Sequence, residues 1–351
     1  MTHTLVVRSD NAGDVLLAGP AIRAVASGSD RVTVLAGPHG SAAARLLPGV
    51  DEVMEWLCPW IDSGGRPLEA RDVRELIEEL ARRRFDGALV LTSFHQSALP
   101  MALLLRMAAV PWVGAISEDF PGSLLDVRHR VEEGLPEPER ALSLAVAAGF
   151  SLPASDHGAL HVLRPLPDVS HLVPERPFVV LHPGTSVPAR AWPVERFAET
   201  AQLLTRLGHC VVVTGSPGEK DLTARVAAAG TGAVDLGGLT DLAELAAVLE
   251  AAQGLVAGNT GPAHLAAAVG TPVVSLFAPT VSRTAWAPYR VPTVLLGDQD
   301  AVCRDTRATV CPFEGHPCLV VVQPSDVLGA LEQLGALTRQ ETVGSVRQEK
   351  P

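Results

Sequence analysis

The sequence predicts an α/β protein built from two parallel-sheet domains that face each other across a central cleft. Short runs of β-branched residues alternate with runs of helical apolar spacing, which is typical of βαβ units. The alternation restarts in the second half, after a proline-rich stretch at residues 163–177 that has neither period. A chain of 351 residues is also long for one hydrophobic core. We therefore predict a first domain at residues 1–168, a second at 169–338 and a polar, disordered tail at 339–351.

The predicted elements of the first half follow in order. Strands are predicted at residues 4–8, 32–36 and 87–91, where Val, Leu and Thr dominate. Between them, the apolar spacing predicts helices at residues 15–26 and 73–84, and the second of these ends in arginines. This order indicates a sheet whose strands are joined by helices.

The second half repeats the pattern. Strands are predicted at residues 178–181, 210–214, 255–257 and 272–277, and helices at 193–207, 242–252 and 325–337. One further helix begins near Pro262, directly after the bend Asn259-Thr260-Gly261, and consists almost entirely of small residues. Proline suits the first turn of a helix, where no backbone N–H is needed. Because free N–H groups and the helix dipole favour negative charge, this N-terminus is predicted to hold an anion.

Composition excludes several classes of function. The net charge of −11 argues against a nucleic-acid-binding protein and against attraction to an acidic membrane surface. No apolar run reaches the roughly 18 to 20 residues of a membrane span, and Met1-Thr2-His3 does not begin a signal peptide. A cytoplasmic protein is predicted.

The five cysteines are expected to be reduced in a cytoplasmic protein. Cys303, Cys311 and Cys318 cluster in the sequence, with His316 beside the last. Zinc is one interpretation, but the tight C-x₂₋₄-C pairs of structural zinc sites are absent. A partly buried loop of free thiols is the other interpretation, and no metal is predicted.

Polar residues that follow the predicted strands are the candidate ligand-binding groups, because ligands of open parallel sheets bind beyond the carboxyl ends of the strands. After the first strand, Gly13 is expected to let the backbone turn sharply before a helix whose start carries Asp14. From spacing alone, Asp14 fits an N-cap or first-turn carboxylate as well as a base.

Two loops of the second half offer complementary chemistry. Residues 182–193 carry hydroxyls, a glycine and Arg190, whose guanidinium could bridge two phosphate oxygens or simply cover Trp192. Residues 214–219 form a turn that ends in Glu219, a carboxylate able to accept hydrogen bonds from a ribose. Neither a complete G-x-G-x-x-G nor a P-loop occurs, which disfavours dinucleotide redox chemistry and NTP hydrolysis.

Taken together, these stretches resemble the glycosyltransferase family 9 heptosyltransferases. The resemblance covers nearly the whole chain, and its most specific parts are the Gly-Asp pair after the first strand and the N-T-G-P-x-H block. The stretches that carry it are "RSDNAGDVLLAGPAIRAV", "SFHQSALPMALLLRMAAVPWVGA", "HPGTSVPARAWPVERFAE", "TGSPGEKDL", "LVAGNTGPAHLAAAVGTPVVSLFAPT" and "CPFEGHPCL". The resemblance implies the two-domain GT-B fold and transfer of a heptose from ADP-heptose, with inversion, usually to a lipopolysaccharide core sugar.

The resemblance also implies roles for individual residues. Asp14 matches the family's catalytic aspartate and is expected to be the general base. Arg190 lies where the family usually has a phosphate-binding lysine, and Asn259 departs from a more common aspartate. The implied donor-binding residues are Thr185, Ser186, Arg190, Glu219, Asn259, Thr260, Gly261 and His264. The implied acceptor-side residues are Asn11, Gly13 and His95.

The expected reaction is direct displacement at the anomeric carbon without a metal or cofactor, and the expected partners are a nucleotide sugar and a hydroxylated acceptor. Two alternatives stay open: another GT-B enzyme such as a nucleotide-sugar 2-epimerase, and a non-catalytic nucleotide-sugar-binding module. The acceptor is also open. Lipopolysaccharide, which would bring peripheral contact with a membrane, competes with a soluble glycan or small molecule, because the chain is acidic and has only Lys220 and Lys350 as lysines.

Overall fold

The computed structural model describes residues 1–61, 67–132 and 134–337. The predicted tail at 339–351 and residue 338 lie outside these ranges. Within them the chain forms two sheets of six strands, and every strand pairs with its neighbours in parallel. This confirms the predicted α/β class with two parallel sheets. None of the helices described is long and apolar enough to cross a membrane.

The first sheet has the strand order β3-β2-β1-β4-β5-β6. Its strands are β1 His3–Arg8, β2 Arg31–Ala36, β3 Glu52–Glu55, β4 Gly87–Val90, β5 Val113–Ile116 and β6 Val127–His129. Its helices are α1 Ala12–Leu17, α2 Gly19–Ser27, α3 Ser41–Arg45, α4 Ala70–Arg83, α5 Leu99–Met107 and α6 Glu137–Ala147. A 3₁₀ turn spans Gly122–Leu124.

The second sheet has the order β12-β11-β10-β7-β8-β9. Its strands are β7 Phe178–His182, β8 Cys210–Gly215, β9 Val234–Gly237, β10 Gly254–Gly258, β11 Val273–Leu276 and β12 Thr293–Leu296. Its helices are α7 Val194–Arg206, α8 Lys220–Ala229, α9 Leu242–Ala251, α10 Gly261–Val269, α11 Arg283–Trp286, α12 Pro317–Val320 and α13 Pro324–Gln333. Two 3₁₀ turns span Pro188–Arg190 and Pro217–Glu219.

Three helix predictions were wrong in their bounds. The helix predicted at 73–84 is α4, which begins three residues earlier, at Ala70. The predicted helix at 15–26 is the pair α1 and α2, since Pro20 at the start of α2 has no N–H to continue the ladder of α1. The last helix was expected at 325–337. It begins at Pro324 with Gln323 as its N-cap and ends at Gln333, where the chain turns through Gly335 at φ 69°.

The topology fixes where a ligand can bind. In the first sheet, the strands before β4 are added on one side of β1 and the later strands on the other side, so the strand order reverses between β1 and β4. In the second sheet, the order reverses between β7 and β10. The carboxyl ends of such strand pairs leave a crevice in an open sheet. The helices that follow β1 and β10, α1 and α10, pack on each other, and one apolar core runs from the first sheet through them into the second. The two crevices therefore face one cleft.

Candidate active site

Ten of the twelve sequence-predicted site residues line one cavity of about 290 Å³ in this cleft. The first half contributes the ends of β1 and β4, and the second half contributes the ends of β7 and β10. The predicted residues that meet there are Asn11, Gly13, Asp14, His95, Ser186, Arg190, Asn259, Thr260, Gly261 and His264. The lining also includes Arg307 and Trp286, which sequence reasoning did not single out.

Asp14 lies in the first turn of α1 with its side chain 19% exposed. The N-cap of α1 is Asn11, so Asp14 is a first-turn carboxylate and not a cap. Its Oδ1 accepts a hydrogen bond from Nη2 of Arg8 at 3.2 Å. Arg8 is buried and lies 3.0 Å from Asp10 and 4.0 Å from Glu137 as well. One guanidinium thus fixes the orientation of Asp14 while it is shared among three carboxylates.

Burial raises the pKa of Asp14 to about 6. The neighbouring Arg8 lowers this pKa, but Asp10 and Glu137 share the positive charge of Arg8 and raise the pKa in turn. A carboxylate of this pKa is ionised near neutral pH but holds a proton more readily than an exposed aspartate. General-base catalysis is most effective when the pKa lies near the working pH. The site therefore contains a carboxylate suited to accept a proton.

The prediction that Gly13 allows a sharp turn before the helix was wrong. Gly13 lies inside α1 and has no positive φ, so no sharp turn requires it. A Cβ at this position would lie 3.0 Å from Cδ2 of His264 and 3.3 Å from Cα of Gly261. Glycine fits here because the helix that carries Asp14 meets the start of α10 at this point, and a larger side chain would require its neighbours to shift by a few tenths of an ångström.

The start of α10 presents hydrogen-bond donors to the cavity. Its N-cap, Thr260, has extended backbone and makes no side-chain cap. Beside it, Nδ2 of Asn259 and Nδ1 of His264 are buried and have no hydrogen-bond partner among the described residues. Burial and the charge on Arg190 lower the pKa of His264 to about 4, so its ring is neutral near pH 7. Buried polar groups without partners are costly, and a polar ligand in the cavity would satisfy them.

Two guanidinium groups face the same cavity. Arg190 ends the 3₁₀ turn Pro188–Arg190, and no described residue is a hydrogen-bond partner of its Nε. Arg307 lies over the ring of Phe94, with Cζ 5.2 Å from the centroid. Within the described ranges neither forms an ion pair with a carboxylate. Burial lowers the pKa of Arg190, and Arg307 adds to this effect. Two like charges that face one cavity favour an anionic ligand.

Trp192, which Arg190 could have covered, packs in the core of the second sheet. It is 3% exposed, and its ring meets Phe197 edge-on at 4.9 Å. Arg190 instead lines the cleft.

The segment of residues 303–318, here named the cysteine-rich loop, contacts the turn that carries Arg190. Nε2 of His316 lies 2.9 Å from the carbonyl oxygen of Ala189, and the Ala189 N–H donates to Thr309 at 3.0 Å. Cys303 and Cys318 are buried side by side. In the described part of the chain, no three His, Cys, Asp or Glu side chains are grouped as a metal ion would need.

Thr185 and Glu219 do not line the cavity. Thr185 accepts from the N–H of Val187 at 3.3 Å and so shapes its own loop. Glu219 caps the turn Pro217–Glu219, where Oε2 accepts from the N–H and hydroxyl of Ser216 at 2.7 and 2.8 Å. Its carboxylate lies against Gly184, where a Cβ would be only 2.1 Å from Oε1. It stands at the carboxyl edge of β7 and β8, next to the loop that leads to Arg190.

The comparisons with known proteins agree with this arrangement. The model of the family described as glycosyltransferase family 9 (heptosyltransferase) matches residues 73–316 of this chain. The chain is 30% identical to lipopolysaccharide heptosyltransferase 2 of Escherichia coli, over 84% of this chain and 87% of that protein. It is 29% identical to lipopolysaccharide heptosyltransferase 1 of Pseudomonas aeruginosa, over 79% of each.

Solved structures have the same fold. A family 9 glycosyltransferase from Veillonella parvula superposes with a TM-score of 0.78 at 20% identity, over 95% of this chain and 97% of that one. The E. coli ADP-heptose lipopolysaccharide heptosyltransferase II gives 0.71 at 24% identity, over 95% and 98%. Two six-stranded parallel sheets around one cleft are therefore the GT-B arrangement, as predicted. The chain belongs to glycosyltransferase family 9, the heptosyltransferase family, and is a glycosyltransferase.

Proposed function

We propose that this glycosyltransferase transfers a heptose, or a closely related sugar, from an ADP-sugar to the hydroxyl group of an acceptor, with inversion and with Asp14 as general base. The observation that carries the proposal is a single cavity with two unlike walls. One wall holds Asp14, and the other holds the open start of α10 and two guanidinium groups. A base on one side and anion-binding groups on the other suit a displacement between an acceptor and a nucleotide diphosphate.

In the proposed reaction the acceptor oxygen attacks the anomeric carbon while Asp14 takes its proton. The bond from the anomeric carbon to the diphosphate oxygen breaks, and its electron pair leaves with ADP. Arg190, Arg307 and the N–H groups at the start of α10 would stabilise the charge that grows on the diphosphate. Asp14 is then released as the carboxylic acid and returns its proton to solvent.

The remaining predicted donor residues fit the same orientation. Asn259 and His264 offer Nδ2 and Nδ1 toward the diphosphate and the sugar. Glu219 stands beyond the cavity at the edge of β7 and β8, where a nucleoside attached to that diphosphate would extend, and its Oε1 would accept from a ribose hydroxyl. The family match does not favour a 2-epimerase or a non-catalytic module. Incubating the protein with the donor alone checks this, because an epimerase would convert the donor sugar without an acceptor.

The proposal predicts selectivity for adenine nucleotides. Calorimetric titration should give tighter binding of ADP than of UDP or GDP. Another E. coli heptosyltransferase, WaaC, was solved with ADP, and it superposes with a TM-score of 0.69 at 18% identity over 95% of this chain. Tighter binding of UDP or GDP would remove the ADP assignment and leave the fold untouched.

The proposal also predicts a pH profile. An acceptor-activating Asp14 must be unprotonated, and its pKa is raised to about 6. Turnover should therefore fall about tenfold per pH unit below 6 and level off above it. The melting temperature, followed over the same range, controls for acid unfolding. A midpoint near 4 would mean that the group behaves as an ordinary exposed carboxyl and would contradict this environment.

We further propose a cellular location for the enzyme. The enzyme would act in the cytoplasm, and any contact with a membrane would be peripheral and would depend on a lipid-linked acceptor.

A further inference from the structure

A second and larger cavity, of about 580 Å³, opens beside the proposed active site. Phe94, His95 and Gln96 line both cavities, so the two are neighbours across one loop. The larger cavity, here named the acceptor chamber, is walled by the loops after β4 and β5, by the segment that leads into α6, and by α11 from the second half. It lies on the side of Asp14 that belongs to the first sheet, where an acceptor would enter.

The charges of the acceptor chamber are almost all negative. Its lining contains four carboxylates, those of Glu118, Asp119, Glu132 and Glu137. The single cation of the lining, Arg140, is already engaged, because its Nη1 donates to the carbonyl oxygen of Thr92 and lies 3.7 Å from Glu137. Within the described ranges the other three carboxylates form no ion pair.

Glu137 is the most constrained of these carboxylates. It is 3% exposed, and its nearest cations, Arg140 and Arg8, are 3.7 and 4.0 Å away. These distances are too long for hydrogen bonds, and no described residue donates one to its side chain. The two ion pairs offset the charge of Glu137, and its carboxylate oxygens can still accept a hydrogen bond from a ligand in the acceptor chamber.

The rest of the lining mixes uncharged polar side chains, among them Gln96, Ser117 and Ser282, with apolar ones. Phe94, Ile116, Val131 and Leu135 present side chains to the acceptor chamber, and Ala285 closes it from α11. Such surfaces suit the C–H faces of sugar or cyclitol rings, while the carboxylates suit groups that donate hydrogen bonds. A phosphorylated or carboxylated acceptor would meet four carboxylates and one cation, Arg140, and this excess of like charge disfavours its binding.

From this lining we propose that the acceptor is a small polyhydroxylated ring compound that carries protonated amino groups. The inference rests on the proposed function, because the acceptor chamber is assigned to the acceptor only if Asp14 acts on an acceptor hydroxyl. The ammonium groups pair with Glu118, Glu132 and Glu137, and a neighbouring hydroxyl is directed toward Asp14. The acidic lining selects against anionic glycans.

The test measures binding of three two-ring probes to the full-length protein by calorimetry. Neamine carries protonated amines, its fully N-acetylated derivative has the same rings without the charge, and an unsulfated hyaluronan disaccharide carries a carboxylate. Charge-assisted hydrogen bonds to carboxylates are expected to make neamine bind about tenfold or more tightly than its acetylated form. Salt should weaken the binding of neamine more than that of the acetylated form. The hyaluronan disaccharide should bind most weakly.

Variants locate the effect. The double variant Glu118→Gln, Glu132→Gln removes two exposed charges of the acceptor chamber and should reduce the preference for neamine severalfold, with the acetylated probe unaffected. Glu78→Gln, on the exposed face of α4 and outside the lining, is the matched control and should keep the full preference.

The outcomes separate this inference from the proposed function. Equal affinity for neamine and its acetylated form, at any strength including none, would overturn the inference, as would tightest binding of the hyaluronan disaccharide. If ADP binds normally in that same preparation, the proposed function stands even though the inference about the acceptor fails. Failure to bind ADP would instead count against the proposed function.

Discussion

Replacing Asp14 with Asn is expected to lower turnover by about 10²–10⁴-fold, the range for loss of a general base. The amide keeps the size of the side chain and can still accept the hydrogen bond from Arg8, but it cannot take a proton. ADP binding should hardly change, because the proposed diphosphate-binding groups, Arg190 and the start of α10, belong to the second half of the chain and do not include Asp14. Turnover, ADP affinity and melting temperature should be measured on one preparation.

Thermal stability at pH 8 is not expected to fall in Asp14→Asn. Because burial raises the pKa of Asp14 to about 6, the folded state binds its proton more tightly than the unfolded chain does. The stabilisation from this group is thus present at low pH and lost as the pH rises through 6, and the neutral amide avoids that loss. Asp72→Asn, at the exposed first turn of α4, is the matched control and should be inert. Near-normal turnover in Asp14→Asn would defeat the base assignment, and loss of all three properties would make Asp14 mainly structural.

Replacing Arg190 with Ala is expected to weaken ADP binding by about 1.5–3 kcal/mol, the range for hydrogen bonds to charged groups. The reason is that Arg190 faces the cavity without a carboxylate partner in the described chain, so an anion there would be its main charge partner. Arg190→Lys should recover part of the loss, because it restores the charge but not the planar pair of donors.

The control for Arg190 is Arg74→Ala, which removes an exposed guanidinium of α4 and should leave ADP affinity unchanged. Arg307→Ala should show a smaller loss than Arg190→Ala, because Arg307 is the more exposed of the two. Unchanged affinity in Arg190→Ala would return this residue to a structural role. If Arg190→Ala lowered the melting temperature as much as a core substitution does, the effect would instead come from disturbing the contacts between the Arg190 segment and the cysteine-rich loop.

Much of the fold could be predicted because its signals are local. β1, β2, β7 and β8 begin and end within about two residues of the predicted runs, since β-branched residues bounded by turn residues define buried parallel strands. The split between α1 and α2 was missed because the apolar spacing continues across Gly19-Pro20. α13 was misplaced because Gln323 is an uncommon N-cap and Ser325 a common one.

The candidate site was predictable where it follows strand ends and not elsewhere. Asp14, Asn259 and Gly261 were found because parallel strands deliver their carboxyl ends to one edge. Arg307 was missed, since it lies on an irregular loop whose position depends on hydrogen bonds to distant residues such as Thr280. The role of Arg8 could not be predicted from the sequence either. Arg8 ends β1, and its burial among carboxylates depends on tertiary contacts. The roles of individual residues stay predictions.

The close approach of Gly13 to Gly261 divides the protein into a fixed part and an exchangeable part. Chimeras between this chain and its relatives should keep α1 and α10 as a matched pair, because a methyl group at residue 13 would lie 3.0 Å from His264 and 3.3 Å from Gly261, and these neighbours would have to shift by a few tenths of an ångström. The loops at 117–119 and 134–135 lie away from that contact, and of these two cavities they line only the acceptor chamber. Grafting these loops alone offers a route to new acceptors that leaves the nucleotide half and its alignment with Asp14 intact.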